Sequence, residues 1–322
     1  MSKVFIIGEA GINHDGKVHI AKKLINIAKK AGVDAIKFQL FKSDDFINKI
    51  KLERYHKFFK KLEFSEKEWT KILNHAKKKR LKLFFSIFDI PSLKTIQKFK
   101  LKLVKIPSGE INNHLLLKEV NKKRLDVILS TGMSTLKEIS ESLKILKNCK
   151  KKILHCVSEY PTKIEKLNLN FIKQLKKKFN LETGFSDHTS GILESNIAVA
   201  AGATIIEKHF THNKKQKNGD HKMSLNPIEL INFVKNIRNT EIILGNSKKI
   251  VFKEEIKLSK IARKGVYLKN DLKKGKILNL KDIIFLRPQN CKNLLYYKKM
   301  IGRKAKKNLT ALKTLNVNDF IK

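Results

Sequence analysis

KVFIIGEAGINHDGKVHIAKKLINIAKKAGVDAIKFQ, residues 3–39, decides the fold. It joins a short apolar run (3–9) to an amphipathic stretch (19–32) that ends in glycine, and then to a second apolar run (34–39). Apolar residues at helical spacing between two short β-rich runs are typical of a strand, a helix and a second strand. This segment therefore predicts two parallel strands joined by a right-handed crossover.

The same alternation continues along the chain. Further β-rich runs occur at 81–87, 101–106, 125–131, 152–157, 182–187 and 204–209, separated by helical segments such as 65–80, 134–148 and 191–203. Eight such units in about 250 residues predict a closed (β/α)8 TIM barrel. An open doubly wound sheet is the alternative, but it normally has fewer strands, and GEAGINHDG (8–16) lacks the glycine spacing of a dinucleotide-binding turn. The insertion at 42–64 is long for a loop of this kind and is typical of a functional lid.

The pattern changes after a last long helix near 227–245. Short strands and Asp/Lys/Gly turns follow from about residue 260 onward. We therefore predict a barrel domain at 1–245, a linker at 246–259 and a small, mostly-β domain at 260–322.

Composition narrows the classes of function. The net charge is +42, but the lysines are spread over helix faces along the whole chain, and no zinc-finger, RNP or helix-turn-helix pattern accompanies them. Nucleic acid is therefore not an expected partner. No window approaches the roughly 18 apolar residues of a membrane helix, and the N-terminus lacks a signal-peptide pattern, so we expect a cytoplasmic protein with no membrane partner. Cys149, Cys156 and Cys291 have neither zinc-site nor disulfide-framework spacing and are expected to be reduced and mostly buried.

Polar residues end nearly every predicted strand. In a (β/α)8 barrel these ends converge on one mouth, which makes their side chains site candidates. They are Glu9, Asn13, His14, Lys37, Gln39, Ser86, Lys105, Ser108, Glu110, Ser130, His155, Ser158, Tyr160, Ser186, Asp187, His188, Glu207 and His209.

Two lysines lie inside apolar strands. A buried ammonium group at Lys37 or Lys105 has to be paired with an anion or lose its proton. With Ser108, Ser130 and Ser186 nearby, the pair indicates a phosphate or carboxylate site. A Schiff-base lysine is the competing interpretation, although it would favour one desolvated lysine over two.

Two histidines follow neighbouring strands in GFSDHTSG (184–191) and IIEKHF (205–210). His188 and His209 can bind a divalent ion together, with water, substrate oxygens or Glu9 in the remaining positions. Without cysteine ligands, a Mn²⁺- or Mg²⁺-like site is favoured over structural zinc.

An ordered set of motifs resembles the N-acetylneuraminate (sialic acid) synthase family, which includes the legionaminic acid synthases. These motifs are GEAGINHDG, AIKFQ, KIPSGEINN, LSTGM, LHCVSEYPT, GFSDHTSG, IEKHFT and GDHKMSLNPIEL, and ARKGVYLKNDLKKGKIL and LRPQN resemble the C-terminal antifreeze-like (SAF) domain of the family. The resemblance covers nearly the full chain. It implies metal-dependent condensation of phosphoenolpyruvate with an open-chain N-acetylated hexosamine, releasing phosphate and giving a nine-carbon 2-keto acid.

The resemblance also implies roles for individual residues. His188 and His209 correspond to metal ligands, for Mn²⁺ with Mg²⁺ or Co²⁺ as alternatives, and Glu9 lies near the water and the carbons that react. The positions that bind phosphoenolpyruvate are Lys37, Lys105, Ser108, Ser130 and Ser186. Those that bind the sugar are Glu110, Ser158, Tyr160, Asp220 and Arg287. Arg287 reaches a partner subunit's site in the family, which implies a homodimer that exchanges its small domains.

The chain departs from the family pattern at three places. FFSIFD (84–89) is one residue short, and Ile87 stands near the usual threonine, so we expect one phosphate contact to be missing. The loop before Asp220 carries Asn218-Gly219, and the turn after Arg287 has lost two glycines.

Several functions stay open at this stage. The sugar is N-acetylmannosamine or a 2,4-diacetamido analogue, with pseudaminic acid synthase specificity ranked lower. A phosphoenolpyruvate aldolase acting on a phosphorylated aldose and a catalytically impaired barrel scaffold are the remaining alternatives.

Overall fold

The structure is a computed structural model that describes residues 3–216, 219–290 and 294–321. The chain divides into two compact units, residues 1–246 and 247–322. Cys149 and Cys156 are free and buried, as expected, whereas Cys291 lies outside the described residues.

The first unit is a closed parallel barrel. Across the described ranges, eight strands pair in sequence order, and β1 also pairs with β8. They are β1 (Phe5–Gly11), β2 (Ala35–Leu40), β3 (Lys82–Ile87), β4 (Leu103–Ile106), β5 (Asp126–Ser130), β6 (Lys151–Cys156), β7 (Glu182–Asp187) and β8 (Ile205–His209). Each coincides with a predicted run, and the pairing of β1 with β8 excludes the open sheet. The predicted TIM barrel is confirmed.

Helices follow the strands along the chain. They are α1 (Val18–Ala31), α2 (Ser43–Phe46), α3 (Glu53–Lys60), α4 (Glu66–Lys78), α5 (Ile90–Lys98), α6 (His114–Lys122), α7 (Leu136–Ile145), α8 (Phe171–Phe179), α9 (Leu193–Ala200) and α10 (Pro227–Leu244). Local sequence sets several of their ends. Ser65 and Glu68 form a reciprocal cap at the start of α4, and left-handed Gly32 ends α1. The insertion at 42–64 folds into α2 and α3.

Side chains alternate in direction along each strand, so they form one apolar layer inside the barrel and another between the strands and the helices. Alternate side chains face the barrel axis, where the lower interior is an apolar layer made of Ile7, Ala35, Phe84, Ile128, Leu154 and Ile205. The intervening residues, such as Ile36, Phe85 and Ile206, join the larger core between the strands and the helices. This filled layer separates the polar side chains at the carboxyl ends of the strands from those at the amino ends, such as Lys82 and Lys152.

The second unit contains short antiparallel pairings. β9 (Gly265–Leu268) pairs with β10 (Ile283–Leu286), and β11 (Lys304–Ala305) pairs with β12 (Phe320–Ile321). Their apolar side chains form a small core that includes Val266, Leu268, Leu278, Met300 and Phe320.

The segment predicted as a linker, 246–259, contains the start of a helix that was not predicted from the sequence. Residues Lys253–Ala262 form helix α11. Glu254 and Glu255 lie in its first turn, where carboxylates stabilise the exposed N–H groups of a helix. Acidic residues at this point are a sequence signal for the start of a helix.

Helices long and apolar enough to cross a bilayer do not occur in the part of the chain that the structure describes.

Candidate active site

A cavity of about 280 Å³ lies at the carboxyl ends of the barrel strands. Its polar lining includes many of the predicted positions: Glu9, Lys37, Gln39, Ser86, Lys105, Ser108, Ser130, Ser158, Tyr160, Ser186, His188, Glu207 and His209. Residues far apart in sequence are thus brought to one end of the barrel.

The floor of the cavity is a cluster of lysines and carboxylates. Lys105 Nζ donates to Glu207 Oε1 at 2.9 Å, and Lys37 Nζ lies 3.6 Å from Glu207 Oε2. Lys37 Nζ also lies 2.7 Å from Glu9 Oε2 and donates to Ser86 Oγ at 2.7 Å. All four charged side chains are almost fully buried. Each ammonium group therefore has an anionic partner, as a buried charge requires.

Burial and pairing shift the pKa values of the carboxyls in opposite directions. Burial raises the pKa of Glu9 to about 7, although Lys37 opposes the shift. Burial alone would also raise the pKa of Glu207, but Lys105 and Lys37 outweigh it and hold that pKa below its usual range. Glu207 is therefore the permanent counter-charge, whereas Glu9 can gain or lose a proton near neutral pH.

Burial lowers the pKa of Lys105 more than Glu207 raises it. Burial also lowers the pKa of Lys37, but Glu207 and Glu9 together raise that pKa above its usual range. Two nearby lysines thus differ in electrostatic environment because one contacts two carboxylates and the other contacts one.

Serine hydroxyls surround this cluster. Ser186 Oγ donates to Glu207 Oε1 at 2.9 Å, and Ser108 Oγ accepts from the Gly132 amide at 3.0 Å. Ser130 Oγ is buried and has no hydrogen-bond partner among the described residues. A Cβ atom at Gly132 would lie 2.2 Å from Ser158 Oγ and 2.9 Å from Ser108 Oγ, so a side chain here would displace these hydroxyls. The unpartnered hydroxyl of Ser130 is available to a ligand.

The two histidines lie side by side at the end of β7 and β8. The centroids of His188 and His209 are 5.8 Å apart, and the Tyr160 ring packs on His188 at 4.1 Å. His188 Nδ1 lies 2.7 Å from the Val157 carbonyl oxygen, which can only accept a hydrogen bond. Nδ1 of His188 therefore carries a proton, and Nε2, which lies 3.4 Å from Ser186 Oγ, faces the cavity as the nitrogen that could bind a ligand.

His209 is also suited to ligand binding. Burial lowers its pKa, although Asp220 opposes the shift, so the imidazole is neutral near pH 7. Its Nδ1 is buried without a hydrogen bond and lies 3.6 Å from Asp220 Oδ2.

The fit of a metal ion to these residues can be judged from the donor set. Two neighbouring imidazoles are suitable ligands for a divalent ion. No group of three or more His, Cys, Asp or Glu side chains is placed to hold an ion within residues 3–216, 219–290 and 294–321. A bound ion would thus complete its coordination with water or substrate oxygens. Glu9, the carboxylate considered for this purpose from the sequence, contacts Lys37 instead.

The predicted sugar-binding positions differ in their relation to the cavity. Ser158 and Tyr160 line the cavity, and Tyr160 is 54% exposed. Glu110 follows Gly109 of the cavity lining, and its carboxylate accepts from the Asn113 side chain at 2.7 Å. The Asp220 amide donates to Asn13 Oδ1 at 3.2 Å, which fixes one end of the loop at 219–224.

Two of the departures from the family pattern lie in the loop before Asp220 and in the turn after Arg287. Asn218, in the loop before Asp220, lies outside the described residues. Arg287 belongs to the second unit, where it directly follows β10 and is exposed.

The structure shows where the end of the third strand directs its side chains. Ile87 is completely buried in the core between strands and helices, so it does not replace a ligand contact. The next residue, Phe88, faces the cavity instead. Period-two alternation explains the difference, because Ser86 faces the axis and its neighbour Ile87 must face outward.

Four other polar residues near strand ends also face away from the cavity. His155 Nε2 lies 2.6 Å from the Leu167 carbonyl oxygen, and the His14 ring packs 4.5 Å from the Phe64 ring. Asn13 donates to the Phe210 carbonyl oxygen, and Asp187 pairs with Lys208 on the outer face of the barrel. Position at a strand end does not by itself make these residues part of the site.

Several further residues line the cavity, among them Glu207, which was a strand-end candidate without a specific role, and Cys156. Glu207 lies two residues before His209, and Cys156 two before Ser158, so their inward direction follows from strand alternation. Phe46 and Phe59, from the insertion, form an aromatic wall with Phe88. No sequence signal places these rings together, because their contact depends on how α2 and α3 fold.

Comparisons with known proteins agree with this architecture. Residues 24–249 match the model of the NeuB family. The chain is 40% identical to the N,N'-diacetyllegionaminic acid synthase of Campylobacter jejuni over 96% of this chain and 97% of that protein. It is 36% identical to the protein of the same name from Legionella pneumophila, over 97% and 93%.

A solved structure is also similar to this chain. The N-acetylneuraminic acid (sialic acid) synthetase of Leptospira borgpetersenii, crystallised with citrate, superposes with a TM-score of 0.74 at 34% identity, covering 80% of this chain and 90% of that one. The barrel and its polar mouth thus define an enzyme. The chain belongs to the NeuB family.

Proposed function

We propose that the protein condenses phosphoenolpyruvate with the open-chain form of an N-acylated hexosamine, giving a nine-carbon 2-keto sugar acid and phosphate. The observation that carries the proposal is the buried pair of Lys37 and Lys105 at the floor of a cavity whose wall holds the imidazoles of His188 and His209. Ammonium groups and hydroxyls suit the phosphate and carboxylate of phosphoenolpyruvate. Imidazole ligands next to them suit a divalent ion at the second substrate.

The bond changes balance with water as the third reactant. The methylene carbon of phosphoenolpyruvate forms a carbon–carbon bond with the aldehyde carbon of the sugar, whose oxygen becomes a hydroxyl. Water adds at the carbon that carries the phosphate, and phosphate leaves with cleavage of the carbon–oxygen bond. Lys37, Lys105 and the hydroxyls of Ser108, Ser130 and Ser186 hold the anionic substrate for this sequence.

Glu9 is the residue we propose for proton transfer to or from the water. Its pKa of about 7 allows it to accept a proton and return it near neutral pH. Its contact with Lys37 would place the carboxyl beside the bound anion.

We further propose that His188 and His209 hold Mn²⁺, with Mg²⁺ or Co²⁺ as alternatives. Such an ion would supply Lewis-acid polarisation of the sugar aldehyde. Support comes from the available Nε2 of His188 and the unpartnered, buried Nδ1 of His209.

The names of the relatives favour a 2,4-diacetamido sugar as the first substrate to test. Two proteins that match nearly the whole chain are named N,N'-diacetyllegionaminic acid synthase. N-Acetylmannosamine is the second candidate, followed by the sugar precursor of pseudaminic acid.

The proposal is tested by measuring phosphate release from phosphoenolpyruvate with each sugar, after chelator treatment and with Mn²⁺ restored. We expect release that depends on both sugar and metal, with a product mass equal to the two substrates plus water minus phosphoric acid. His209→Ala should abolish turnover and leave the circular dichroism spectrum unchanged. His155→Gln, at an imidazole that faces away from the cavity, is the matched control and should retain activity.

The other outcomes discriminate the alternatives. Release only with phosphorylated aldoses would identify the aldolase. Absence of phosphate release with every sugar tested would favour a catalytically impaired scaffold. Full activity of His209→Ala after chelation would refute the metal assignment.

We also propose that the second unit is an antiparallel SAF-type domain whose Arg287 serves the site of a partner subunit in a homodimer. Mixing inactive His209→Ala and Arg287→Ala chains tests this idea. If the arginine acts between subunits, each mixed dimer contains one site with an intact barrel and an intact arginine, so activity should return. If it acts within its own chain, the mixture should remain inactive.

A further inference from the structure

A buried ion pair lies directly behind the two histidines, on the outer face of the barrel. Asp187 and Lys208 are paired in register between β7 and β8, and Lys208 Nζ lies 3.0 Å from Asp187 Oδ1. Each residue immediately precedes one of the two histidines in the chain. Because neighbouring strand residues face opposite sides, the ion pair faces the helices while the imidazoles face the cavity.

The same ammonium group also fixes the chain on the other side of His188. Lys208 Nζ donates to the Thr189 carbonyl oxygen at 2.7 Å and lies 3.1 Å from Thr189 Oγ1. Asp187 Oδ1 accepts from the Thr189 amide at 2.8 Å and from Thr189 Oγ1 at 2.7 Å. Both neighbours of His188 are therefore tied to Lys208, which is itself the neighbour of His209.

The pair is anchored to the helical layer as well. Asp187 Oδ2 accepts from Ser195 Oγ of α9 at 2.6 Å. Both charged side chains are essentially inaccessible to solvent, so water does not compete for these contacts. A fully hydrogen-bonded buried charge has few alternative geometries, which makes it a rigid attachment point.

We propose that Lys208 and Asp187, through Thr189, are positioning residues that fix the separation and orientation of His188 and His209 for a shared divalent cation. The inference rests on the metal assignment in the proposed function. Supporting groups that orient metal ligands commonly change metal affinity by 10- to 100-fold when they are altered. Here the support would act through the backbone on both ligands at once.

A direct electrostatic effect of Lys208 and Asp187 on cation binding would give a different result from positioning, and this difference provides the test. The positive charge of Lys208 disfavours a second positive charge at His209, as its contribution to lowering the pKa of that imidazole indicates. If charge alone mattered, Lys208→Met would strengthen cation binding and Asp187→Asn would weaken it. If positioning matters, both variants weaken binding, and the uncharged change Thr189→Val weakens it too.

The experiment measures Mn²⁺ binding by the full-length, chelator-treated protein, using the electron paramagnetic resonance signal of free Mn²⁺. We expect the Kd of Lys208→Met, Asp187→Asn and Thr189→Val each to rise by about tenfold or more. Circular dichroism melts define a temperature at which every variant is folded. Thr189→Val keeps both charges and nearly the same volume, so it remains informative if a charge variant fails to fold.

A matched control separates positioning from general loss of stability. Arg238 pairs with Asp34 at 2.5 Å, at the opposite end of the barrel from the histidines. Arg238→Met should lower the melting temperature and leave the Kd for Mn²⁺ unchanged.

The outcomes distinguish this inference from the proposal beneath it. Absence of Mn²⁺ binding by the unaltered protein would overturn the metal assignment and the inference together. Normal Mn²⁺ binding by the unaltered protein and by all three variants would overturn the positioning role alone. Tighter binding by Lys208→Met would replace positioning with a charge effect.

Discussion

The Glu207 carboxylate accepts a hydrogen bond from Lys105 at 2.9 Å at the floor of the barrel cavity. Its other oxygen lies 3.6 Å from the ammonium nitrogen of Lys37. One carboxylate therefore contacts both lysines that we propose for phosphoenolpyruvate, and Glu9 is a second anionic partner of Lys37. Such a group keeps the lysines charged in the empty site and has to share them when an anion enters.

We first predict that Glu207→Gln destabilises the ligand-free protein by about 3–5 kcal/mol, because it leaves two buried ammonium groups with one fewer anion. Phosphoenolpyruvate should restore part of this loss by supplying negative charge. Thermal melts with and without phosphoenolpyruvate should show a larger upward shift for the variant than for the unaltered protein. Equal shifts would mean that the anion does not bind against Lys37 and Lys105.

A second prediction concerns the two lysines. Lys37→Met and Lys105→Met should each raise the KM for phosphoenolpyruvate by at least tenfold, the equivalent of about 1.4 kcal/mol. A positioned ammonium group, and not a Schiff base, is the physical reason. Borohydride added during turnover should therefore leave the mass of the unaltered protein unchanged. A stable adduct at Lys105 would support the competing covalent mechanism.

The aromatic wall gives a third prediction. Phe88 packs against Phe46 with centroids 4.8 Å apart, and both rings are partly exposed to the cavity. Apolar burial of one such ring is worth on the order of 1.5–3 kcal/mol. Phe88→Ala should raise the KM for the sugar roughly tenfold and leave the KM for phosphoenolpyruvate nearly unchanged, because the lysines are not altered.

The control for this change is in the same aromatic cluster. Phe58 contacts Phe59 but is outside the described lining of this cavity. Phe58→Ala should lower stability without a selective effect on the sugar. Parallel increases in both KM values for Phe88→Ala would indicate a general distortion of the mouth.

His14 gives a prediction for pH dependence. Its ring is completely buried, and burial, with a smaller contribution from His221, lowers its pKa from 6.5 to about 3. Between these values the unfolded chain binds a proton that the folded protein does not. Stability should therefore fall as pH decreases below 6.5, by roughly 1.4 kcal/mol per pH unit from this residue.

The variant His14→Phe should remove this contribution. Trp69 is the single tryptophan of the chain, and its ring lies 5.9 Å from the His14 ring. Urea unfolding followed by Trp69 fluorescence at pH 7, 6 and 5 should give a shallower decline for the variant, whatever its absolute stability. Identical slopes would show that His14 is not the titrating group.

The sequence predicted the barrel well because its signal is local and repeated. Strand and helix periodicity, read over windows of ten to twenty residues, located each strand from β1 to β8. The inward direction of Lys37, Lys105, His188 and His209 also follows from local alternation. Helix α11 was not predicted, because its acidic start is a weaker signal than the surrounding polar residues.

Which groups touch across the barrel was decided by tertiary structure. The sequence determined that cationic, hydroxyl and imidazole side chains collect at one end, because every parallel strand ends there. It did not determine that Glu207 would join Lys105 to Lys37, or that Lys208 would hold the chain on both sides of His188. Those contacts depend on the register between strands and on the closure of β8 against β1, which join residues up to two hundred positions apart and leave no pattern in any short window of sequence.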